Sequence, residues 1–217
     1  MNKGIIYYTG GGLPENVAEA ARQQLLTIGL PIVSCTLEPL DFGQNIIIEG
    51  ERGYLTMFRQ ILAALEASTA EIIFFCEHDV LYPKDHFDFT PSRKDTFYYD
   101  HNWWKIGNGD LAVHWDADQV SGLCCDRQLA IDFYKQRIAN FSSDNFDRKF
   151  EPMSGIQSES WKAPTPHIDI RGKWNLTYNK WSLDNFRNKA TAANFTQTTI
   201  DNIPGWQHND ILKTILR

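Results

Sequence analysis

One stretch of the sequence constrains the fold more than any other: five apolar residues at 72–76 run directly into three ionisable ones. An apolar run of this length, rich in β-branched and aromatic side chains, predicts a buried strand rather than a helix. The residues that follow it are Glu77, His78 and Asp79. Charged groups at the end of a buried strand are costly unless they are paired or bind a ligand. The pattern therefore predicts a central strand with chemistry at its carboxyl end.

The chain before this strand alternates between strand and helix patterns. Residues 4–9 and 31–35 are short apolar runs that predict strands, and apolar positions between them recur at helical spacing. A second amphipathic helix is predicted after residue 53, with its apolar positions at Leu55, Phe58, Leu62 and Leu65. This order favours a parallel sheet, so the predicted fold class is α/β, with a mostly parallel central sheet flanked by helices.

The second half of the chain gives weaker patterns. A third helix is predicted over about 126–140. After residue 142 the sequence is polar and predicts loops and short elements, with a short helix over about 208–216. We expect one domain over residues 1–217, in which 141–217 is a loop-rich appendage to the α/β part.

Composition excludes several classes of protein. A hydrophobic fraction of 42% and a charged fraction of 22% are typical of a globular domain and not of a disordered or fibrous chain.

No apolar run reaches the roughly 20 residues that cross a bilayer. The first residues lack a signal-peptide pattern, so a cytoplasmic location is expected. The four cysteines form no C-x-x-C pair, which predicts free thiols.

Charge is unevenly distributed along the chain. Residues 1–160 carry a net charge of −10, whereas residues 161–217 carry +4. The basic segment over 161–190 also holds five aromatic residues: Trp161, Trp174, Tyr178, Trp181 and Phe186. Basic residues interleaved with rings are typical of a surface that binds an anionic partner, although a solvated basic face is the alternative.

The acidic residues after the central strand suggest a metal site. In an extended segment Glu77 and Asp79 point to the same side, and His78 points to the other. Two carboxylates at a strand end provide the oxygen ligands that Mg²⁺ and Mn²⁺ prefer, with substrate phosphates completing the coordination. The alternative is a helix cap or a surface ion pair.

The segment Ile72-Ile73-Phe74-Phe75-Cys76-Glu77-His78-Asp79-Val80-Leu81-Tyr82 resembles the acid-x-acid segment of glycosyltransferases with the GT-A fold. The order of elements before it is also similar, and the resemblance covers roughly residues 4–140. It implies a GT-A domain in which 1–140 binds a nucleotide-sugar, with a UDP-sugar as the expected donor, and 141–217 binds the acceptor. It also implies Mn²⁺ or Mg²⁺ as cofactor, with Asp79 and Glu77 as ligands. In this variant of the segment, Glu77 and His78 could instead contact the sugar.

The resemblance implies further roles for individual residues. The end of the first strand would contact the nucleotide through Tyr7, Tyr8, Thr9 and Gly10. Arg59 and Gln60, on the second helix, would approach the nucleotide-sugar. A histidine from the C-terminal part would complete the metal site, and the two candidates are His167 and His208.

Transfer with inversion of the sugar anomer requires a carboxylate that removes the acceptor proton. Asp118, Glu151 and Glu159 lie in the expected part of the chain. Transfer with retention requires no such base, and the sequence leaves both outcomes open.

The basic and aromatic segment leaves two acceptors open, a glycan or a hydroxymethylated base in DNA. Two other functions are also open. A carbohydrate-binding module would use its tryptophans for stacking on sugars. A nucleotidyltransferase would use the carboxylates and the glycine-rich turn at 10–12 to hold phosphates.

Overall fold

The computed structural model describes residues 1–141, 156–176 and 179–207, together with Leu212 and Ile215. It confirms the predicted α/β class, because a mostly parallel sheet is flanked by helices. Among the described residues, the strands are β1 (Lys3–Thr9), β2 (Ile32–Thr36), β3 (Gln44–Ile47), β4 (Ile72–Glu77), β5 (Val80–Leu81), β6 (Thr96–Asp100), β7 (Trp103–Asn108), β8 (Leu111–His114), β9 (Leu123–Asp126), β10 (Gln157–Trp161), β11 (His167–Ile170) and β12 (Thr196–Thr199). The helices are α1 (Glu15–Leu26), α2 (Tyr54–Ala67) and α3 (Arg127–Ala139).

Seven strands form the central sheet, in the order β10-β6-β9-β4-β1-β2-β3. Four neighbouring pairs are parallel, and β9 runs antiparallel to both of its neighbours, β4 and β6. The predicted central strand is β4, whose first five residues are all buried. The carboxyl ends of β1 and β4 lie side by side, because Tyr8 is in register with Glu77.

Helices cover both faces of the central sheet. Helices α2 and α3 contact each other, and α2 also contacts β1 and β2. Their apolar residues join the face of the sheet that contains Ile6, Tyr8 and Phe75. The opposite face contains Ile5 and Tyr7 and packs against Leu25 of α1. The side chain of Asp126 caps α3 by accepting hydrogen bonds from two backbone N–H groups of its first turn.

The sequence did not predict a second sheet. Five strands form it, in the order β12-β8-β7-β11-β5. Residues 156–207, where loops were expected, supply β10 to the central sheet and both β11 and β12 to the second one. All three strands are only four or five residues long. In addition, β10 and β12 are largely exposed and therefore lack the apolar run that would predict a strand. Of the helix expected over 208–216, only Leu212 and Ile215 lie among the described residues, and both are helical and buried.

Two other sequence predictions can be compared with the structure. All four cysteines are free and buried, as expected for thiols that form no disulfides. None of the described helices is both long and apolar enough to span a membrane.

Candidate functional site

A cavity of about 380 Å³ lies at the carboxyl ends of β1 and β4. Glu77, His78 and Asp79 line it, as do Tyr8 and Thr9 from β1. The first turns of α2, the segment before β9 and the segment after β11 form its other walls. The structure thus brings the acidic strand end and the predicted end of the first strand into one cavity.

Hydrogen bonds orient the two acidic side chains. The hydroxyl group of Tyr8 donates to Glu77 Oε1 over 2.9 Å. The side-chain amide of Asn175 donates to Asp79 Oδ2 over 2.6 Å. Asp79 is only 3% exposed, so its carboxylate sits in a protected wall of the cavity.

The electrostatics around Glu77 are unusual for a carboxylate. Burial and the nearby charge of Asp79 raise the pKa of Glu77 to about 7, although the positive charge of Arg171 opposes this rise. Two acids that repel each other in this way favour the binding of a cation between or beside them.

Four cationic side chains line the same cavity: Arg52, Lys105, Arg171 and Lys180. Arg171 donates a 2.6 Å hydrogen bond to Asp169 Oδ2. Burial tends to lower the pKa of Arg171, but the charges of Asp169 and Asp79 outweigh burial and raise it. Arg171 is therefore a permanent cation beside the acidic pair.

Lys105 differs from the other three cations because its side chain is buried against aromatic rings. Its ammonium nitrogen lies 4.4 Å from the ring centroid of Trp115 and 5.8 Å from that of Trp103. Burial, followed by the charge of Arg171, lowers the pKa of Lys105 to about 7. Lys105 therefore changes charge near neutral pH.

The turn after β1 is held against the acidic strand end. The hydroxyl group of Thr9 forms a hydrogen bond with His78 Nδ1 and accepts one from the Gly11 N–H over 3.0 Å. Burial lowers the pKa of His78, which favours the neutral imidazole. The buried amide of Gln60 donates to the carbonyl oxygens of Thr9 and Cys35, at 2.6 and 3.2 Å. Gln60 lines the cavity and also fixes α2 to the ends of β1 and β2.

Of the three candidate bases, Asp118 lines the cavity. His101 Nε2 lies 2.8 Å from Asp118 Oδ1 and holds this carboxylate in place. Glu159 lies on the exposed strand β10, outside the cavity lining. Glu151 and the candidate metal ligand His208 lie outside the described residues.

Three other candidates also lie away from the cavity. Tyr7 points to the opposite face of β1 from Tyr8 and packs on Phe42, with ring centroids 4.9 Å apart. Arg59 is on the exposed side of α2, because the cavity side of this helix is occupied by Thr56 and Gln60. His167 is fully buried behind the site, where it faces Asp100 rather than the acidic pair.

Sequence reasoning missed several residues of the cavity wall. Lys105 lies on β7 of the unpredicted second sheet, and Trp115 directly follows β8 of the same sheet. Arg52 lies in the loop before α2. Asn175 follows β11 and reaches Asp79 across 96 residues of sequence. The basic segment was the one available signal, since Arg171 and Lys180 both belong to it.

The chain matches no protein-family model and no curated protein sequence. It is similar in structure to HddC from Yersinia pseudotuberculosis, with 14% identity, 78% of this chain and 93% of that chain covered, and a TM-score of 0.48. It is also similar to a glycosyltransferase involved in glycosylation of the major capsid of PBCV-1, with 12% identity, 76% and 92% coverage, and a TM-score of 0.48. A third similar structure is the mannosyltransferase PcManGT from Pyrobaculum calidifontis in complex with GDP-Man and Mn²⁺, with 14% identity, 78% and 56% coverage, and a TM-score of 0.41.

Proposed function

We propose that this chain is a metal-dependent glycosyltransferase, which transfers a sugar from a nucleoside-diphosphate sugar to a hydroxyl group. The observation that carries the proposal is the cavity at the ends of β1 and β4, which among the described residues is lined by three carboxylates and four cationic side chains. A cavity of this composition suits a ligand that is anionic and also brings a divalent cation. A diphosphate has both properties.

The residues present fit a hard divalent cation. Glu77 and Asp79 offer oxygen ligands on one wall of the cavity, and a dication would relieve the repulsion that raises the pKa of Glu77. These two residues would hold Mn²⁺ or Mg²⁺. When bound, such an ion supplies Lewis-acid stabilisation of the negative charge on the departing diphosphate.

Cationic side chains of the protein would also stabilise the negative charge on the departing diphosphate. Arg171 and Lys105 lie on one side of the cavity and Arg52 lies on the turn that faces Gly10. They would bind the diphosphate and stabilise the charge that grows when the bond to the sugar breaks. The cavity volume of about 380 Å³ lies within the range of small-molecule pockets, and as donor we propose a UDP-sugar.

On the acceptor side, Asp118 would act as the base. Its bond to His101 fixes one carboxylate oxygen, and the side chain lines the cavity. A positioned carboxylate can remove the proton of the attacking hydroxyl group, so we propose a reaction that inverts the anomeric configuration.

For the acceptor we propose a glycan hydroxyl group. Arg171 and Lys180, from the basic segment, face the cavity. In this position the two residues would contact the donor, and they would not form an open groove for a DNA strand. A hydroxymethylated base in DNA is the acceptor that the experiment below compares with glycans.

The test is a screen of UDP-, GDP- and dTDP-sugars for hydrolysis with and without Mn²⁺, followed by acceptor assays with glycans and with hydroxymethylated DNA. We expect slow hydrolysis of UDP-sugars that depends on Mn²⁺. A carbohydrate-binding module would bind no nucleotide in a metal-dependent way, and a nucleotidyltransferase would release pyrophosphate from a nucleoside triphosphate. Either of those results would overturn the proposal.

Lys105 predicts a pH dependence of donor binding. Because its lowered pKa leaves it cationic below about pH 7 and neutral above, UDP affinity without metal should fall about tenfold between about pH 6.5 and about pH 8.5. Calorimetry with EDTA measures this affinity.

The matched control for Lys105 is Lys105→Arg, whose guanidinium group stays protonated over this range. The ionisation of UDP, and that of Glu77, whose pKa is also raised to about 7, contributes to the pH dependence in both proteins. UDP affinity should therefore decrease less with rising pH in the variant than in the unmutated protein. An equal decrease in the two proteins would contradict the assignment to Lys105.

A further inference from the structure

A cluster of two histidines and one aspartate lies buried outside the cavity lining. His86 belongs to the short 3₁₀ helix Lys84–Asp88, Asp100 ends β6, and His167 begins β11. All three side chains are 0% exposed. Three segments that are distant in sequence thus bring polar groups to one point in the interior.

The donor atoms of the cluster are close together. His86 Nδ1 lies 2.8 Å from Asp100 Oδ2, and His167 Nδ1 lies 3.4 Å from the same oxygen. One ligand atom from each residue can be chosen so that all three lie within 4.8 Å of one another. Around a tetrahedral zinc ion with bonds of about 2.0–2.1 Å, neighbouring ligand atoms are roughly 3.3 Å apart. The cluster needs only small side-chain movements to reach that geometry.

Hydrogen bonding leaves nitrogen atoms of the cluster unused. Among the described residues, His86 Nε2 and both ring nitrogens of His167 have no hydrogen-bond partner. A buried polar atom without a partner has lost its hydrogen bonds to water without replacement, so such atoms in an interior call for an explanation. A metal ion is the partner that a neutral imidazole nitrogen binds most strongly.

The backbone orients Asp100 toward the histidines. Its Oδ1 accepts hydrogen bonds from the N–H groups of Asn102, at 2.8 Å, and Ala163, at 3.2 Å. Its Oδ2 is the atom that faces both rings. A carboxylate held in this way, with one oxygen on the backbone and one toward the site, is typical of a supported metal ligand.

We propose that His86, Asp100 and His167 bind a transition-metal ion of the zinc class, at a site separate from the cavity. Two imidazoles and one carboxylate suit Zn²⁺, whereas the oxygen-only pair in the cavity suits Mg²⁺ or Mn²⁺. Burial lowers the pKa of His86 and favours its neutral form, so a His86 that binds the ion through Nδ1 would carry its one ring proton on Nε2. The role is structural, because the ion would join β6, β11 and the 3₁₀ helix.

The site also lies behind the acidic strand end. The ring of Tyr82 stacks on His167, with centroids 5.6 Å apart. The hydroxyl oxygen of Tyr82 accepts a hydrogen bond from the Glu77 N–H over 3.1 Å. An ion that fixes His167 would therefore also restrain the backbone at Glu77.

The experiment uses the full chain without a histidine affinity tag. We expect about one equivalent of zinc by elemental analysis after dialysis, and a melting temperature that falls when a strong chelator removes the metal. Replacement by Co²⁺ should give the visible ligand-field absorption of a site with nitrogen ligands, a readout that does not depend on activity.

Variants separate this site from the cavity. His86→Gln and His167→Gln should lose the cobalt absorption, and the double variant Glu77→Gln with Asp79→Asn should keep it. If the unmutated protein binds no zinc as purified or after refolding with zinc, and shows no cobalt absorption, the proposal is wrong. Absorption that disappears in the cavity double variant would also overturn it.

Discussion

Replacing Asp79 by asparagine should reduce metal-dependent transfer by at least about 100-fold, which corresponds to about 2.7 kcal/mol of lost transition-state stabilisation. The substitution preserves the shape of the side chain and can keep a hydrogen bond to Asn175. It removes the negative charge that we propose to hold the divalent ion. Activity assays across a range of Mn²⁺ concentrations measure the effect, and circular dichroism with thermal melting checks the fold.

The matched control is Glu159→Gln, which neutralises an exposed acid on β10 outside the cavity. This variant should keep the activity of the unmutated protein. If Asp79→Asn kept near-native turnover at low Mn²⁺ concentration, Asp79 would not be the metal ligand. A large loss in Glu159→Gln would instead place the reaction elsewhere.

The second large effect is expected for Asp118→Asn. General-base catalysis contributes about 10²–10⁴ in rate, so turnover should fall by that factor. UDP affinity should stay unchanged, because the proposed role of Asp118 concerns the acceptor. Turnover is measured with saturating donor, and NMR of the product determines whether the anomeric configuration is inverted.

His101→Gln tests whether the contact with Asp118 positions the base. Glutamine can still donate a hydrogen bond to the carboxylate, so we expect a loss of turnover that is smaller than in Asp118→Asn, with UDP affinity unchanged. A product with retained configuration, or full turnover in Asp118→Asn, would contradict the role of Asp118 as base.

The strands β1, β2 and β4 of the central sheet could be predicted because they are buried on both faces. Such strands are continuous apolar runs, as in β1 and β4, and helices at regular spacing separate them. The acidic strand end was visible for the same reason: Glu77 and Asp79 interrupt the strongest apolar run in the chain.

The cavity walls were harder to predict because they depend on contacts between distant segments. Asn175 contacts Asp79, and Arg52 contacts the backbone of Trp174, across about 100 residues of sequence or more. The strands of the second sheet are short, and no local period marks them. The alternation of side chains along a strand sets another limit: Tyr7 and Tyr8 are equally good strand residues, and only the packing of β1 decides which of them faces the cavity.

The reversed direction of β9 has a consequence for the cavity. Since Ile72 pairs with Asp126 and Phe74 with Cys124, the chain enters β9 at the edge where β4 ends. The direction of β9 therefore places the residues just before Leu123, including Asp118, at the edge of the sheet where the cavity lies. At this edge of the sheet, β9 therefore contributes its amino end, whereas the strands that run in the opposite direction, such as β1 and β4, contribute their carboxyl ends. Under the proposed function, the residues that contact the donor and those that contact the acceptor would therefore lie on connections of opposite direction within one sheet.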